Sequence, residues 1–275
     1  MFKDILLPAI AGDLSDAAVG SSCALAQPTD GRVIALVAVS VFVPGPTEWV
    51  RNPLATYTTL HQAATAALAE RMRNVEAQLA RHTTEYEVIG WPAFWLTPEE
   101  VLATNAHAVD VIVLDGGHAQ DDRGRRLFAG ALVGSGRPVL LVPARQPLRT
   151  GGNVLVAWKD SAEAARSLHD ALPLLRLAHR VEVLVVSHAD DKATTQDDGC
   201  ARLLAHLKRQ GIEATLAQVA RTITTGATIA GHAVDSQADL IVAGGYSRPR
   251  ALEQVFGGVT RYLMEHSPVP VLFSH

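Results

Sequence analysis

The stretch "DLIVAGGYSRPRALEQVFGGVT", residues 239–260, joins a short apolar run to a loop flanked by glycines. The run is β-branched and apolar, which is typical of a strand buried on both faces of a parallel sheet. Glycine pairs at 244–245 and 257–258 then bracket a polar stretch that carries Arg248 and Arg250. Glycines between a buried strand and a helix allow the backbone to approach a phosphate group. The spacing differs from those of the Walker and Rossmann loops.

Four apolar runs of this kind occur twice along the chain, in the same order. The matching pairs are "DILLPAI" (4–10) with "NVLVAWK" (153–159), "GRVIALVAVS" (31–40) with "HRVEVLVVSH" (179–188), "AVDVIVLDGG" (108–117) with "QADLIVAGGY" (237–246), and "GRPVLLVP" (136–143) with "SPVPVLFS" (267–274). Helical segments rich in alanine and leucine follow most of them. The duplication predicts an α/β protein with two tandem, doubly wound, Rossmann-like domains, each a parallel sheet of four strands alternating with helices.

The distance between matching runs locates an insertion. It falls from 148 residues between Val33 and Val181 to 129 residues between Asp110 and Asp239. About nineteen residues are therefore extra in the first half, and we assign them to the segment rich in proline and aromatics near 41–60. The polar stretch "ARQPLRTGGN" (144–153) is the predicted linker. The predicted domains are residues 1–147 and 152–275.

Composition and charge narrow the class of protein. Of the 275 residues, 48% are hydrophobic and 19% charged, which is typical of a well-packed globular chain. A net charge of −4 without a basic block argues against a nucleic-acid partner. The longest apolar run, 33–43, is too short to span a bilayer, and Asp4 interrupts the N-terminus before a secretory signal could form. We therefore predict a cytoplasmic protein without a membrane partner.

The polar residues form no catalytic or metal-binding pattern. The eleven histidines show no zinc-ligand spacing, and Cys23 and Cys200 stand too far apart for a metal or redox motif. Serines at 20–23 and 134–136 lack the G-x-S-x-G frame of a nucleophile elbow. We predict no catalytic residues and no metal site. The chain is therefore not expected to be an enzyme.

The segment "AGGYSRPRALEQVFGGVTRYLMEHSPVPVLFSH" (243–275) resembles the universal stress protein family. That family carries a G-x2-G-x9-G-[ST] loop between its fourth strand and last helix, followed by a P-x-P-V-L-V strand. Gly244 takes the place of the first glycine and Gly257 that of the third. The resemblance is close over roughly the last 120 residues and fainter before them. The whole chain therefore resembles a tandem universal stress protein with a degenerate first domain.

This sequence departs from the family pattern at several positions. Ser247 stands at the second glycine, and Gly258 stands at the hydroxyl residue. The aspartate that ends the family's first strand and contacts adenosine is replaced by Lys159 in the second half and by Ile10 in the first. A lysine ammonium donates hydrogen bonds but cannot accept them from a ribose hydroxyl. The altered residues leave phosphate binding easier to explain than adenosine recognition.

The first half lacks the glycine pattern altogether. Its corresponding loop carries Asp115, Asp121 and Asp122, whose negative charges would repel a triphosphate that is not accompanied by a metal ion. We therefore expect the first half to be a structural partner that binds no ligand.

The resemblance implies binding of ATP or a related adenine nucleotide, with magnesium as a candidate companion, in the second half only. Slow hydrolysis of that ATP stays open. The expected nucleotide-binding residues are Trp158, Lys159, Val186, Gly244, Ser247, Arg248, Gly257, Gly258, Val259 and Thr260. The hydroxyl of Ser247 would donate to a phosphate oxygen, Arg248 would add positive charge, and the hydroxyl of Thr260 would replace the one missing at 258.

Two alternatives stay open at this point. The chain could be a stress-signalling interaction module without nucleotide, or it could bind another small ligand between its halves, lined by the 41–60 insertion. The resemblance also suggests that "GRPVLLV" and "SPVPVLF" are edge strands that meet, so that the halves pack as an intramolecular pseudo-dimer. A second copy of the chain is a further candidate partner.

Overall fold

A computed structural model describes residues 2–10, 13–40, 53–83, 85–93, 96–118, 121–187, 193–245 and 257–275. Its strands are β1 (Asp4–Ala9), β2 (Arg32–Ser40), β3 (Tyr86–Ala93), β4 (Val111–Asp115), β5 (Val139–Val142), β6 (Asn153–Trp158), β7 (Arg180–Ser187), β8 (Ala214–Ala220), β9 (Leu240–Gly244) and β10 (Val271–Ser274). Its α-helices are α1 (Asp16–Ala26), α2 (Pro53–Leu79), α3 (Pro98–Ala106), α4 (Asp122–Ala129), α5 (Ala162–Leu175), α6 (Ala193–Arg209), α7 (Thr225–Asp235) and α8 (Gly258–His266).

The ten strands form one sheet in the order β3-β2-β1-β4-β5-β10-β9-β6-β7-β8. The second five strands repeat the order of the first five in reverse. Each half is parallel within itself, as the apolar runs predict, and β5 and β10 pair antiparallel where the halves join. The α/β fold with parallel, doubly wound halves is therefore confirmed.

The helices cover both faces of this sheet. On the face that we call the front, α1, α2, α5 and α6 bury residues such as Val19, Leu79 and Leu168. On the back face, α3, α4, α7 and α8 bury residues such as Phe128 and Leu263. The helices that follow the first and fourth strands of each half therefore lie on opposite faces.

Side chains at the N-caps start most of the helices. The hydroxyls of Ser15, Thr97, Ser161 and Thr224 and the carboxylate of Asp121 each accept a hydrogen bond from a backbone N–H of the first turn. Such caps satisfy amides that have no acceptor within the helix and stabilise it by about 1 kcal/mol each.

The junction between the halves is a short antiparallel ladder. Val271, Leu272 and Phe273 lie opposite Leu141, Leu140 and Val139. On the back face the rings of Phe128 and Phe273 pack edge to face, with their centroids 5.3 Å apart. The two edge strands that were predicted to meet, β5 and β10, are thus hydrogen-bonded to each other.

The prediction of four strands in each half is wrong, because each half has a fifth. The additional strands, β3 and β8, occupy the two outer edges of the sheet. Their sequences, "YEVIGWPA" and "ATLAQVA", contain polar residues, glycine or proline, since an outer strand is only partly covered. The polar residues of β8 show no period of two, since Thr215 and Gln218 stand three positions apart, and this conceals the strand in the sequence.

Other features of the predicted organisation lie partly outside the described residues. Of the insertion near 41–60, residues 41–52 are outside them, and the remainder starts the 27-residue helix α2. The domain limits 1–147 and 152–275 stay a prediction. Within the described ranges no helix is both long and apolar enough to cross a membrane.

A buried carboxylate ties β7 to α7. Glu182 is 7% exposed, and its Oε1 accepts a hydrogen bond from Nε2 of His232 at 2.7 Å, while Arg180 forms an ion pair with Oε2. Burial alone would raise the pKa of the Glu182 carboxyl, but the hydrogen bonds from His232 and Arg180 outweigh it and hold the pKa below its usual value. The charged form is therefore the one that the folded state favours.

Replacing Glu182 with glutamine should make stability less dependent on pH in acid. The carboxylate's contribution is fully present above the unfolded pKa, near 4.5, and is lost as the pH falls through the lower folded pKa. Urea midpoints should therefore fall more steeply for the wild type than for Glu182→Gln below about pH 4.5. The exposed Glu76→Gln is the control and should follow the wild type. Parallel curves for Glu182→Gln and wild type would contradict the assignment.

Candidate functional site

The described members of the predicted binding set lie on or next to β6, β7, β9 and α8, around the point where the strand order of the second half reverses. β6 pairs with β7 on one side and with β9 on the other. The chain leaves β6 for α5 on the front face, whereas α8, which follows β9, lies on the back face. A crevice between the first turns of α5 and α8, at the carboxyl ends of β6 and β9, is where open α/β sheets bind ligands. We call it the switch-point crevice.

Gly244, the first glycine of the loop, has a packing role. A methyl group added to it would lie 2.8 Å from the backbone N of Ala164 and 2.8 Å from the carbonyl C of Glu163. The first turn of α5 therefore rests directly on the end of β9, and only glycine leaves room for it. This glycine sets the position of α5, in addition to any contact that it makes with a ligand.

Gly245 joins the start of the loop to the neighbouring strand and to the first half. The N–H of Gly245 donates to the carbonyl oxygen of Ser274 at 2.9 Å. The carbonyl oxygen of Gly245 lies 3.1 Å from Nδ1 of His275. A methyl group added to Gly245 would lie 2.6 Å from Cδ2 of Leu132, which belongs to the first half. The first half thus contacts the point at which the loop begins.

Gly257 and Gly258 form the start of α8 and have a different environment. Gly257 is the N-cap, with φ −54° and ψ 138°, and it provides no capping side chain. No described atom lies within 4 Å of a methyl group added to either glycine. Among the described residues, neither crowding nor a left-handed backbone requires glycine here. A ligand that approaches the backbone closely would require it.

The first amides of α8 lie at the end of the helix that borders the switch-point crevice. The first helical hydrogen bond runs from the N–H of Arg261 to the carbonyl of Gly257 at 3.0 Å. The N–H groups of Gly258, Val259 and Thr260 precede that bond and have no acceptor within the helix. Of the helices whose N-caps are described, α8 alone has a cap without a side-chain acceptor. Among the described residues no side chain occupies its positive end, which is the part of a helix that attracts an anion.

The structure divides the remaining predicted residues between the two faces. Val186, at the end of β7, and Val259, in α8, both pack against the back cluster. Trp158, at the end of β6, packs against the front cluster instead. Lys159 follows it and is exposed. Thr260 is only 3% exposed, so its hydroxyl lies inside the protein and its backbone N–H is the group nearer to the helix terminus.

Two predicted residues lie outside the described part of the chain, and two residues that were not predicted share the surroundings of the described ones. Ser247 and Arg248 lie outside the described residues. Ala157, next to Trp158, and Val219, near the end of β8, are partly buried against the same back cluster as Val186 and Val259. Side chains alternate between the two faces along β6, so Ala157 lies on the face opposite to that of Trp158. Val219 belongs to β8, which was not predicted from the sequence.

In the first half, Asp115 occupies the position of Gly244. Both residues end the fourth strand of their half and stand at the same register relative to the first strand. The Asp115 carboxylate accepts hydrogen bonds from the N–H of Ser15 at 2.7 Å and from that of Gly117 at 2.9 Å. The carboxylate thereby ties β4 to the start of α1, and α1 cannot approach β4 as α5 approaches β9.

The start of α4 is also filled by the chain's own groups. The Asp121 carboxylate accepts from the N–H of Gly124 at 2.6 Å, so an internal anion occupies the helix N-terminus. Nη2 of Arg123 donates to the carbonyl oxygen of Ile10 at 2.8 Å and so bridges the end of β1 to α4. These contacts occupy the N-terminus of α4, which corresponds in the first half to the start of α8. The acidic loop predicted to repel a triphosphate contributes the capping carboxylate.

Two comparisons with known proteins find similar proteins, one for the second half and one for the whole chain. Residues 152–275 match the model of the universal stress protein family. A universal stress protein from Archaeoglobus fulgidus has a similar structure, with a TM-score of 0.72 and 18% identity over 98% of this chain and 97% of that chain. A putative universal stress protein from Pseudomonas aeruginosa has a TM-score of 0.59 and 16% identity over 99% of this chain and 93% of that one. At these identities the likeness shows a shared fold, and no curated protein sequence matches the chain.

Alanine substitutions should separate the packing glycine from the exposed one. Gly244→Ala should lower the free energy of unfolding by about 1–3 kcal/mol, because its methyl group overlaps the backbone of α5. Gly257→Ala should cost less than about 1 kcal/mol, because its φ is accessible to alanine and its surroundings are open. Urea denaturation of both variants measures the difference. Equal losses would contradict the separate roles.

Proposed function

The chain belongs to the universal stress protein family through its second half, and on that premise we propose that this half binds ATP or a related adenine nucleotide in a stress response. The first half serves as a structural partner without a nucleotide. In this proposal the two halves form an intramolecular pseudo-dimer through β5 and β10, and the protein works in the cytoplasm.

The open N-terminus of α8 carries this proposal. The N–H groups of Gly258, Val259 and Thr260 precede the first hydrogen bond of the helix, at the crevice where α/β sheets bind ligands. Phosphate oxygens are suitable acceptors, because they are anionic and match several converging N–H donors. In the first half Asp121 already fills the equivalent place. The contrast supports one phosphate site per chain.

Two further features fit a phosphate ligand. Lys159 is exposed at the end of β6, beside the crevice, and would add a positive charge. Arg248 and Arg250 follow Gly245 in the sequence and would add more. A magnesium ion would enter with the nucleotide phosphates, since the proposal assigns no protein ligand to it.

Recognition of the adenosine would depend on the back face. Ala157, Val186 and Val219 are partly buried there near the carboxyl ends of β6, β7 and β8, and they offer apolar contacts to a base. Lys159 stands where the family has an aspartate, and its ammonium can donate a hydrogen bond to a ribose oxygen but cannot accept one. We therefore propose that specificity for the sugar is weak and that the phosphates supply most of the affinity.

The proposed role is binding without a chemical step. The groups assigned to the ligand are backbone amides and cationic side chains, which donate hydrogen bonds and do not activate water. Hydrolysis is therefore not part of the proposal. The bound nucleotide would instead change which surface the protein presents to a partner.

Isothermal titration calorimetry with ATP, ADP and AMP tests the site. We expect one ATP per chain and weaker binding as phosphates are removed. Gly257→Asp should lower the affinity for ATP at least about tenfold, because its carboxylate would occupy the helix N-terminus as Asp121 does in α4. The same change should stabilise the protein by up to about 1 kcal/mol through capping.

The control adds the same charge elsewhere. Gly231→Asp, on an exposed turn of α7 with no described atom within 4 Å of its added methyl group, should bind ATP like the wild type. ATP binding that is indifferent to Gly257→Asp would place the site elsewhere. Absence of binding by all three nucleotides would support the nucleotide-free interaction module instead.

A further inference from the structure

The strand β8 forms one outer edge of the sheet, and its own sequence contains neither of the residue types that usually protect an edge. No residue from Ala214 to Ala220 is charged, and none is proline. The opposite edge, β3, contains Pro92 and carries Glu87, whose exposed carboxylate pairs with Arg32. Charged residues and proline discourage the pairing of an edge with another strand, and only β3 has them. The two ends of the sheet therefore differ in their capacity to accept another strand.

The hydrogen-bonding direction of β8 can be assigned residue by residue. The N–H of Arg221 donates to the carbonyl oxygen of Ser187 at 3.0 Å, so the backbone of Arg221 faces β7. The carbonyl of Val219 also faces β7, since it accepts a hydrogen bond from the Ser187 hydroxyl. Because successive residues of a strand face opposite sides, Ala214, Leu216 and Ala220 direct their N–H and C=O groups outward.

The charges beside β8 are arranged symmetrically about its centre. Glu213 precedes the strand and Arg221 follows it, each four residues from Ala217. Both are exposed, and the only described ion pair of Glu213 is a loose contact with Lys208 at 3.9 Å. Such an exposed pair contributes little and is easily exchanged for another.

We propose that β8 is a homodimerisation edge, at which a second copy of the chain pairs antiparallel with its axis at Ala217. In this register Ala214 exchanges backbone hydrogen bonds with Ala220 of the second copy. Glu213 lies opposite Arg221 of the second copy, and the two-fold axis generates this ion pair twice. The outward groups of each strand face each other in this register. A shift by two residues would lose both ion pairs.

Two other observations support this occupant. Ile223 is 86% exposed and lies two residues beyond Arg221, at the end of the proposed interface, where a second copy would partly cover it. The chain already joins its own halves by antiparallel edge pairing of β5 with β10, and the dimer would extend the same sheet.

Charge reversal tests the register. Sedimentation velocity over about 1–200 µM should show a monomer–dimer equilibrium for the wild type, since a single pair of edge strands is a small interface. Glu213→Arg should raise the dissociation constant at least about tenfold by placing two arginines together at each end. The double variant Glu213→Arg with Arg221→Glu should restore dimerisation. Glu76→Arg, which makes the same charge change on the exposed side of α2, should behave as the wild type.

Cysteine cross-linking tests the axis independently. Ala217 lies on the axis as a pair whose backbones are not hydrogen-bonded to each other, so its two copies come within disulfide reach in Ala217→Cys. Thr215→Cys, which lies on the same side of the strand, is the control. Its two copies would be roughly 13 Å apart, four residue steps along the strand. Mild oxidation should therefore yield a covalent dimer of the first variant only.

Three outcomes would overturn the proposal. A wild-type chain that stays monomeric throughout the concentration range would remove the edge interface. A dimer that is unaffected by Glu213→Arg would have another interface. Cross-linking of Thr215→Cys as efficient as that of Ala217→Cys would exclude the register.

Discussion

The antiparallel pairing of β5 with β10 is the contact on which the two-fold arrangement of the chain depends. Within its own half, β5 pairs only with β4 and β10 pairs only with β9, so each has one free side. The free sides of β5 and β10 form hydrogen bonds with each other. The pairing makes a single sheet and lets the front and back helices of both halves share continuous apolar layers. It also brings Leu132 of the first half against Gly245, at the start of the glycine loop. The first half therefore supports the crevice of the second.

The two halves differ in which groups accept hydrogen bonds from the first turn of the helix that follows their fourth strand. A helix that starts at the carboxyl end of a strand exposes amides that need acceptors. In α4 the carboxylate of Asp121 supplies one, and Arg123 crosses the neighbouring space to Ile10. In α8 Gly257 supplies no side chain, and the amides are left for another acceptor. The residues at these few positions therefore account for the difference between the two helix N-termini among the described residues.

The sequence predicts the interior of this fold better than its margins. The buried strands are identified from their apolar runs because both faces are covered, whereas β3 and β8 are half-exposed and their polar residues conceal them. The sequence also identifies Gly244 and Gly257 as members of one loop. It cannot tell that Gly244 is required by the backbone of α5, because Ala164 and Glu163 become its neighbours only when the strand order reverses. Likewise, the acidity of the first-half loop is visible in the sequence, but the hydrogen bond of Asp121 to Gly124 is not.

A loop whose first glycine is needed for packing can lose its ligand and still keep part of its pattern. Gly244 would be retained in a protein without nucleotide, since alanine would displace α5. Gly257 and Gly258 have no such reason among the described residues. Gly257 and Gly258 are therefore better indicators of a ligand than Gly244 is. The replacement of the second glycine by Ser247 is a weaker indicator than either of them. The first half is the matching case without the packing constraint, since Asp115 replaces the glycine there and α1 is held at Ser15 instead.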